Sequence, residues 1–222
     1  MKASKISEHI WSLKSWMGIP VHVWVVVEED GVVLVDAGAG FMAKGILKFL
    51  DQLSAGPLQR ILLTHGHSDH TGSLEKIRSK HHVPVLAHGL EIPYMEGNML
   101  YPGRKKLEYN VPPDTTQPLS ADKAGGLEQV GSLIPYLTPG HSPGHTVYYH
   151  EQDDVLLAGD LFTSKKGRLR PPMRMFTADM AEAVRSAGIV RELKPELLAV
   201  CHGKIVSHPA EQLDVYVRET AN

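Results

Sequence analysis

The sequence has a single cysteine, Cys201, among its 222 residues, so no disulfide can form within the chain. It also lacks an excess of either charge, because 23 lysines and arginines are balanced by 25 aspartates and glutamates, which argues against a nucleic-acid-binding protein. The longest apolar run, Val21 to Val27, is interrupted by His22 and is far shorter than the roughly 20 residues of a membrane-spanning helix. No apolar signal segment follows Met1. We therefore expect a cytoplasmic protein that binds neither nucleic acid nor membrane.

Apolar residues make up 42% of the chain, which is enough for the packed core of one domain. Alternating and β-branched stretches predict strands at residues 6–13, 21–28, 32–36, 61–64, 83–87, 133–137, 146–150, 155–158 and 197–200. Helical periodicity predicts helices at residues 41–53, 73–80, 178–193 and 210–217. Because strands followed by helices occur twice, we expect a single α/β domain, residues 1–222, with two sheets packed face to face and helices outside.

Residues 89–118 differ from the rest of the chain, because prolines and glycines are mixed with apolar and aromatic residues and no period is sustained. We expect a lid-like insertion here. Apolar side chains of this segment and of the first hairpin loop would either line a substrate pocket or form the contact of a homodimer. They are Trp16, Met17, Ile19, Tyr94, Met95, Met99 and Tyr101.

The most informative motif is a cluster of histidines directly after a predicted buried strand. It reads His65-Gly66-His67-Ser68-Asp69-His70, or H-x-H-x-D-H. Imidazole and carboxylate groups are ligands of borderline divalent cations such as zinc. They can converge on one centre if the loop curls as it leaves the strand, and Gly66 would permit that curl. The motif therefore predicts a metal site.

Three further candidate ligands, His141, Asp160 and His202, each follow a hydrophobic run that ends next to a glycine. Each would be delivered to the same rim of a sheet as the histidine cluster. This shared placement is the reason to group these residues with the motif, because any one of them alone would more often be a turn former than a ligand.

With these residues, the sequence resembles the metallo-β-lactamase fold superfamily over residues 36–202, in the hydrolase branch that includes glyoxalase II and the acyl-homoserine lactonases. The resemblance implies a four-layer αββα sandwich and two divalent metal ions, with zinc expected and iron or manganese as alternatives. It implies that His65, His67 and His141 hold one ion, that Asp69, His70 and His202 hold the other, and that Asp160 bridges them. Asp36 would support the metal loop, and His145 would be a supporting rather than a ligating residue.

Two cations bridged by a carboxylate lower the pKa of a water between them, so that a hydroxide nucleophile forms near neutral pH. One cation would polarise the carbonyl under attack. Asp69 is the candidate catalytic residue that orients the hydroxide and passes a proton to the leaving group. We therefore expect a binuclear metallo-hydrolase that cleaves a small ester, thioester or lactone.

Other reactions stay open, because one kind of metal site supports many reactions. A single-domain glyoxalase II-like thioesterase or a phosphodiesterase would use the same centre, although the 20 residues after His202 are too few for the glutathione-binding domain of two-domain glyoxalase II. The lactonases place a tyrosine where this sequence has Thr163. An iron persulfide dioxygenase of the family would use one iron, held by two histidines and an aspartate.

A basic segment, residues 164–174, carries five lysines and arginines, and no acidic residue occurs between Leu161 and Ala178. The segment is either a solvated loop or an anchor for a carboxylate or phosphate group of the substrate. A small-molecule substrate, anionic in the second case, is the expected partner.

Overall fold

Alternating and β-branched stretches in the first half of the chain form a seven-stranded sheet in the computed structural model, which describes residues 1–221. Its strands lie side by side in chain order. They are β1 (Lys2–Lys5), β2 (Ile10–Trp16), β3 (Pro20–Glu28), β4 (Gly31–Val35), β5 (Leu58–Leu62), β6 (Val85–Ala87) and β7 (Thr116–Pro118). Strands β1 to β4 are antiparallel and β4 to β7 are parallel, so the later strands need crossover connections.

The other half of the chain forms a five-stranded sheet in the order β14-β13-β10-β9-β8. These strands are β8 (Leu133–Leu137), β9 (Thr146–His150), β10 (Val155–Leu157), β13 (Leu197–Ala199) and β14 (Val206–Ser207). Strands β10 and β13 are parallel, and the other neighbours are antiparallel. A separate hairpin consists of β11 (Thr163–Lys165) and β12 (Arg168–Arg170).

The helices connect the strands and cover the sheets. They are α1 (Ala43–Leu53), α2 (Ser68–Thr71), α3 (Leu74–Arg78), α4 (Ile92–Met95), α5 (Met180–Ser186), α6 (Ile189–Leu193) and α7 (Leu213–Ala221). Short 3-10 helices lie at Gly40–Met42, Arg174–Phe176 and Pro209–Gln212. Within residues 1–221, no helix combines the length and the apolar character needed to cross a membrane.

Successive side chains of β10 point to opposite faces of the second sheet, so they show what each face contacts. Val155 and Leu157 belong to the same apolar cluster as Val33 of the first sheet, so this cluster lies between the two sheets. Leu156 belongs to a second cluster with Val190 of α6, on the outer face. Helices therefore lie outside two packed sheets, and the structure confirms the predicted αββα sandwich.

The outermost strands of the two sheets differ in composition from the inner ones. Strand β1 reads Lys-Ala-Ser-Lys and all its side chains are exposed. Strand β7 ends at Pro118, and β8 contains Pro135 at its centre. Strand β14 has only two residues.

The strand predicted at residues 6–13 is wrong in its extent, because residues 6–9 form a bend between β1 and β2, and only residues 10–13 belong to a strand. The N–H of Ile6 donates to the carbonyl of Ile10 at 2.9 Å, and β1 and β2 pair on either side of the bend. The fully exposed β1 has no buried face, so it has no hydrophobic alternation that a sequence pattern could detect.

The long helix predicted at residues 178–193 is divided into α5 and α6, with a break at Ala187 and Gly188. Asp179 caps α5, because its side chain accepts a hydrogen bond from the N–H of Glu182 at 2.9 Å. Glycine is among the least favourable helix residues, which explains a break at this point. The other predicted elements are confirmed, with ends displaced by up to four residues.

Candidate metal centre

Loops that follow strands of both sheets bring all seven predicted ligands together at one rim. The segment after β5, a loop followed by the short helix α2, supplies four of them, and the loops after β8, β10 and β13 supply one each. The seven are His65, His67, Asp69, His70, His141, Asp160 and His202. Hydrogen bonds between the sheets fix this rim: the N–H of Thr146 donates to the carbonyl of Thr64 at 2.9 Å, and the Tyr148 hydroxyl donates to the carbonyl of Leu63 at 2.8 Å.

The first group of facing donor atoms is formed by three imidazoles. Nδ1 of His67 lies 3.0 Å from Nε2 of His65 and 3.1 Å from Nε2 of His141. His67 thus presents the opposite ring nitrogen from its two neighbours. This is the set that the resemblance assigns to one metal ion.

The second group contains Asp69, His70 and His202. Oδ2 of Asp69 lies 3.2 Å from Nε2 of His202 and 3.9 Å from Nε2 of His70. The thiol of Cys201 is buried and is also close, within 4.8 Å of the donor atoms of this group. No pattern in the sequence indicated this neighbourhood of Cys201.

Asp160 lies between the two groups. Its Oδ2 is 3.4 Å from Nε2 of His141 in the first group and 3.3 Å from Nε2 of His202 in the second. Its Oδ1 is 3.5 Å from Nε2 of His70. A carboxylate in this position can bridge two cations.

The residues present fit divalent metal ions. Nε2 of His70, Nε2 of His202 and Oδ1 of Asp160 are buried and have no hydrogen-bond partner, which is costly for polar atoms unless another group satisfies them. Nε2 of His70 lies 3.5 Å from Oδ1 of Asp160, and Nε2 of His202 lies 3.3 Å from Oδ2 of the same carboxylate. Five imidazoles and two carboxylates form a donor set suited to zinc, iron or manganese.

Two of the imidazoles are held in one tautomer by Asp36 and Thr64. Nδ1–H of His70 donates to Oδ2 of Asp36 at 2.7 Å. The Thr64 hydroxyl donates to the same carboxylate at 2.8 Å, so it is free to accept from Nδ1 of His65 at 3.1 Å. In the neutral form of both rings, these hydrogen bonds place the proton on Nδ1, so that the lone pair of Nε2 is the one available to the centre.

His141 and His202 are oriented in the same way by other partners. The Thr177 hydroxyl donates to the carbonyl of Met173 at 3.0 Å and accepts from Nδ1 of His141 at 3.1 Å. Nδ1 of His202 donates to the carbonyl of Pro20 at 2.8 Å. Partners of this kind fix the ring of a ligating histidine and raise its basicity.

His145 supports the centre through Asp160. Its Nε2 accepts the backbone N–H of Asp160 at 3.1 Å, and its Nδ1 donates to the Thr138 hydroxyl at 2.9 Å. The backbone of the central carboxylate is thereby fixed. This contact agrees with the supporting role predicted for His145.

Burial and the charges of neighbouring residues shift the pKa values of the two groups of donors in different ways. Burial lowers the pKa of His65 and His141 well below the ordinary value, and it lowers that of His67 to about 4. Burial acts to raise the pKa of Asp69, but the charges of His70 and His202 outweigh it and lower the pKa to about 2. The first group is therefore neutral near pH 7, ready to bind a cation without losing protons.

A cleft of about 610 Å³ opens above the centre. His67, Asp69, Asp160 and His202 lie at its floor. Its apolar walls come from the β2–β3 loop and from residues 173–176, and comprise Met17, Ile19, Met173 and Phe176. Arg104 and Glu108 of the 89–118 segment form the remaining wall, with Arg104 Nε 3.4 Å from Glu108 Oε1 and its guanidinium carbon 5.3 Å from the Phe176 ring centre.

Of the apolar residues expected to line a pocket, Met17 and Ile19 do so. Trp16 is 66% exposed and lies beside Lys2 and Lys14 instead. Met95 and Tyr101 are buried, in contact with the loop at Gly66 rather than at the cleft surface.

Most of the basic segment lies away from the metal centre, and only its end, at Met173, lines the metal cleft. It forms the β11–β12 hairpin, where Arg168 and Arg170 line a different cleft together with α7, and Arg170 pairs with Glu219 at 3.3 Å. At the metal cleft the cation is Arg104, which the sequence did not indicate.

Several supporting residues escaped sequence reasoning. Thr64 directly precedes His65 at the end of a predicted strand, and that position was the one available signal. Glu91 and Thr177 come from distant segments with no recognisable motif. Glu91 is fully buried; burial raises its pKa, and four hydrogen bonds oppose that shift.

Gly66 is required for a different reason from the one predicted. Its backbone is not among the positive-φ residues. Instead, a Cβ at this position would lie 2.3 Å from Cβ of Met95 and 2.4 Å from the Tyr101 hydroxyl. Close packing, rather than a left-handed turn, excludes a side chain here.

Comparisons with known proteins show the family and the fold to which this chain is similar. The family model described as "Metallo-beta-lactamase superfamily" matches residues 16–202. The chain is 38% identical to "Probable metallo-hydrolase YybB" of Bacillus subtilis (strain 168), over 98% of each chain. It is 30% identical to a "Hydroxyacylglutathione hydrolase" of Shewanella halifaxensis (strain HAW-EB4), over 67% of this chain and 50% of that protein. A solved structure, "Metallo-beta-lactamase from Pontibacter korlensis", superposes with a TM-score of 0.78 at 20% identity, over 100% of this chain and 99% of that one.

Proposed function

This chain belongs to the metallo-beta-lactamase superfamily, and from that premise we propose that it is a binuclear metal-dependent hydrolase of a small ester, thioester or lactone. The observation that carries the proposal is the position of Asp160, whose carboxylate lies within 3.5 Å of imidazoles from both groups of donors. One group alone would serve a single ion. A carboxylate shared by both groups favours two.

In this proposal His65, His67 and His141 hold one ion, Asp69, His70 and His202 hold the other, and Asp160 contacts both. When bound, the ions would supply the positive charge that acidifies a water and polarises the carbonyl under attack. Asp69 is 18% exposed at its side chain and lies on the cleft floor, so it can accept a hydrogen bond from the attacking water and pass a proton to the leaving group.

The cleft supports a substrate with an apolar part and an anionic part. Met17 and Phe176 are 47% and 37% exposed, which is a large exposure for apolar side chains beside a polar centre, and an apolar acyl or ring group would cover them. Arg104 is the cation of the opposite wall. Its Nε faces Glu108, and its guanidinium can bind a substrate carboxylate through the remaining N–H groups.

The thioester arm of the proposal draws support from the hydroxyacylglutathione hydrolases among the relatives, which match at 25–30% identity. The phosphodiesterase alternative stays open. Arg168 and Arg170 of the β11–β12 hairpin line a different cleft, so an anion that they bind would not lie at the metal centre.

The test begins with elemental analysis of protein purified without chelator, followed by ester, thioester, lactone and phosphodiester substrates. Two zinc, iron or manganese ions per chain and turnover of one of the first three classes are expected. A single iron per chain with oxygen consumption on glutathione persulfide would overturn the proposal in favour of a dioxygenase.

Arg104→Gln tests the anionic part of the substrate. We expect KM for a carboxylate-bearing ester to rise by about 10-fold or more, since hydrogen bonds to charged groups contribute about 1.5–3 kcal/mol, while a neutral isosteric ester is unaffected. Arg170→Gln, on the outlying hairpin, is the matched control and should change neither. An equal loss on both esters would show that Arg104 shapes the cleft instead of binding the anion.

A further inference from the structure

Glu91 is a fully buried carboxylate that accepts four hydrogen bonds beside the metal centre. Its Oε1 accepts the backbone N–H of Gly66 at 2.9 Å and the Tyr101 hydroxyl at 2.7 Å. Its Oε2 accepts the Ser142 hydroxyl and the backbone N–H of Gly144, both at 2.8 Å. A buried carboxylate is costly unless it is paired in this way, so the arrangement calls for an explanation.

The four donors belong to specific places in the centre. Gly66 lies between His65 and His67, and Ser142 directly follows His141. One side chain therefore connects the two loops that supply every imidazole of the first group. These loops follow β5 in one sheet and β8 in the other, so Glu91 also bridges the two sheets.

The 89–118 segment, which contains Glu91, holds the Gly66 peptide from both sides. Its carbonyl accepts from Nδ2 of Asn110 at 3.0 Å, while its N–H donates to Glu91. The fit around Gly144 is equally close, since a Cβ there would lie 2.4 Å from the backbone nitrogen of Glu91. Neither loop can shift without disturbing this segment.

The second group of ligands has no comparable link to Glu91. His70 is held by Asp36, and His202 by the Pro20 carbonyl. Neither contact involves a residue of the 89–118 segment.

We infer that Glu91 is a positioning residue that fixes the spacing of the His65–His67 loop and the His141 loop, and thereby sets the affinity of one of the two metal ions. The inference rests on the proposed function only for the presence of metal. It assigns the 89–118 segment a role in building the centre, beyond any role in covering the substrate.

A glutamine cannot replace Glu91 in this role. Two of the four donors are backbone N–H groups, one on each carboxylate oxygen, and they cannot rotate away. The amide of glutamine offers one oxygen and one NH2 group. Whichever way it turns, an N–H group faces the backbone N–H of Gly66 or Gly144, so one of the two loops must move.

The test is a titration of metal-free protein with zinc in competition with a chromophoric chelator, with no substrate present. Glu91→Gln is measured in two backgrounds: His202→Ala, which leaves the first group intact, and His67→Ala, which leaves the second. In the His202→Ala background we expect zinc affinity to fall by about 10- to 100-fold, the usual cost of losing a partner that supports metal ligands. In the His67→Ala background we expect affinity to be unchanged.

Loss of zinc affinity in both backgrounds would show that Glu91 is a general structural residue and would overturn the inference. An unchanged affinity in both backgrounds would overturn it as well. If Glu91→Gln does not fold, Tyr101→Phe and Ser142→Ala together remove one hydroxyl donor from each oxygen and keep both backbone bonds. This double variant should show a smaller loss with the same selectivity, and a loss without selectivity contradicts the inference. Failure of the wild-type protein to bind a second ion would contradict the proposed function instead, because the His202→Ala comparison examines the first group alone.

Discussion

The ring of His70 depends on a residue that would not itself touch a metal. Asp36 accepts the Nδ1–H of His70 and leaves Nε2 free to face Asp69 and Asp160. The carboxylate is fully buried, and its backbone is left-handed with a φ of 61°. Aspartate and asparagine tolerate this backbone better than most residues, so one position meets both the conformational and the hydrogen-bonding requirement.

Asp36→Asn is expected to weaken metal binding at the second group by about 10- to 100-fold. The amide oxygen would accept the Thr64 N–H, so the NH2 group would face Nδ1 of His70 and force the ring proton onto Nε2. The lone pair that faces the centre would be lost. Zinc titration of the metal-free variant in a His67→Ala background measures this effect directly.

Asp154→Asn provides the matched control for that substitution. Asp154 is also an aspartate with positive φ, and its carboxylate accepts the Tyr149 hydroxyl far from the ligands. Metal affinity should be unaffected in this variant. If both substitutions weakened zinc binding alike, the control of the His70 tautomer by Asp36 would be refuted.

At this scale, the convergence of residues that follow one another in a motif or end a hydrophobic run could be predicted from the sequence, while their binding of metal stays a prediction. The residues of the 65–70 motif and the three strand-end residues all meet at one rim. Glu91 and Thr177 escaped notice because their function depends only on tertiary contacts. No local pattern distinguishes a buried glutamate with four donors from an exposed one.

Among the elements, the 89–118 segment is the one whose structure and packing were hardest to predict from the sequence pattern. Its mixed composition predicted a lid-like insertion, which stays a prediction. In the structure it contains α4 and β7, and Met95 and Tyr101 pack on the metal loop at Gly66. The strands were easier to predict, because alternation reports burial directly, whereas the exposed β1 and the short β14 carry no such signal.

Gly66→Ala tests how closely this segment packs on the metal loop. The new methyl group would overlap Met95 and the Tyr101 hydroxyl, and overpacking of this kind costs about 1–3 kcal/mol of unfolding free energy. Urea denaturation of the metal-free protein measures the loss. Gly89→Ala, in the same segment, is the control, because its Cβ would meet nothing closer than Pro118 Cβ at 3.7 Å. If the two variants were equally stable, the 89–118 segment would have moved to make room for the methyl group without a measurable cost in unfolding free energy.

The molecule as a whole has its predicted metal ligands on both sides of its central core. The first sheet carries the 65–70 motif, and the second carries His141, Asp160 and His202. Any ion held by this set connects the two sheets. Metal binding and the docking of the sheets are therefore coupled in the folded protein.

Removal of metal is expected to lower Tm by several degrees. An ion present at 100 times its Kd stabilises the folded state by about 2.7 kcal/mol, and for a protein of this size 1 kcal/mol shifts Tm by about 2–4 °C. Calorimetry before and after treatment with a chelator measures the shift, and added zinc should restore the original Tm. An unchanged Tm would show that the sheets dock without help from the ligands.

The composition of the outermost strands has a consequence for behaviour at high concentration. Unpaired strand edges can recruit further chains and start fibrils, and lysine, proline and shortness are the usual defences. Each of the four outermost strands of the two large sheets has one of these features. Strand β1 has exposed lysines, β7 has Pro118, β8 has Pro135, and β14 is only two residues long. These features disfavour pairing of the sheet edges with another chain, so a face or a loop is the better surface for self-association.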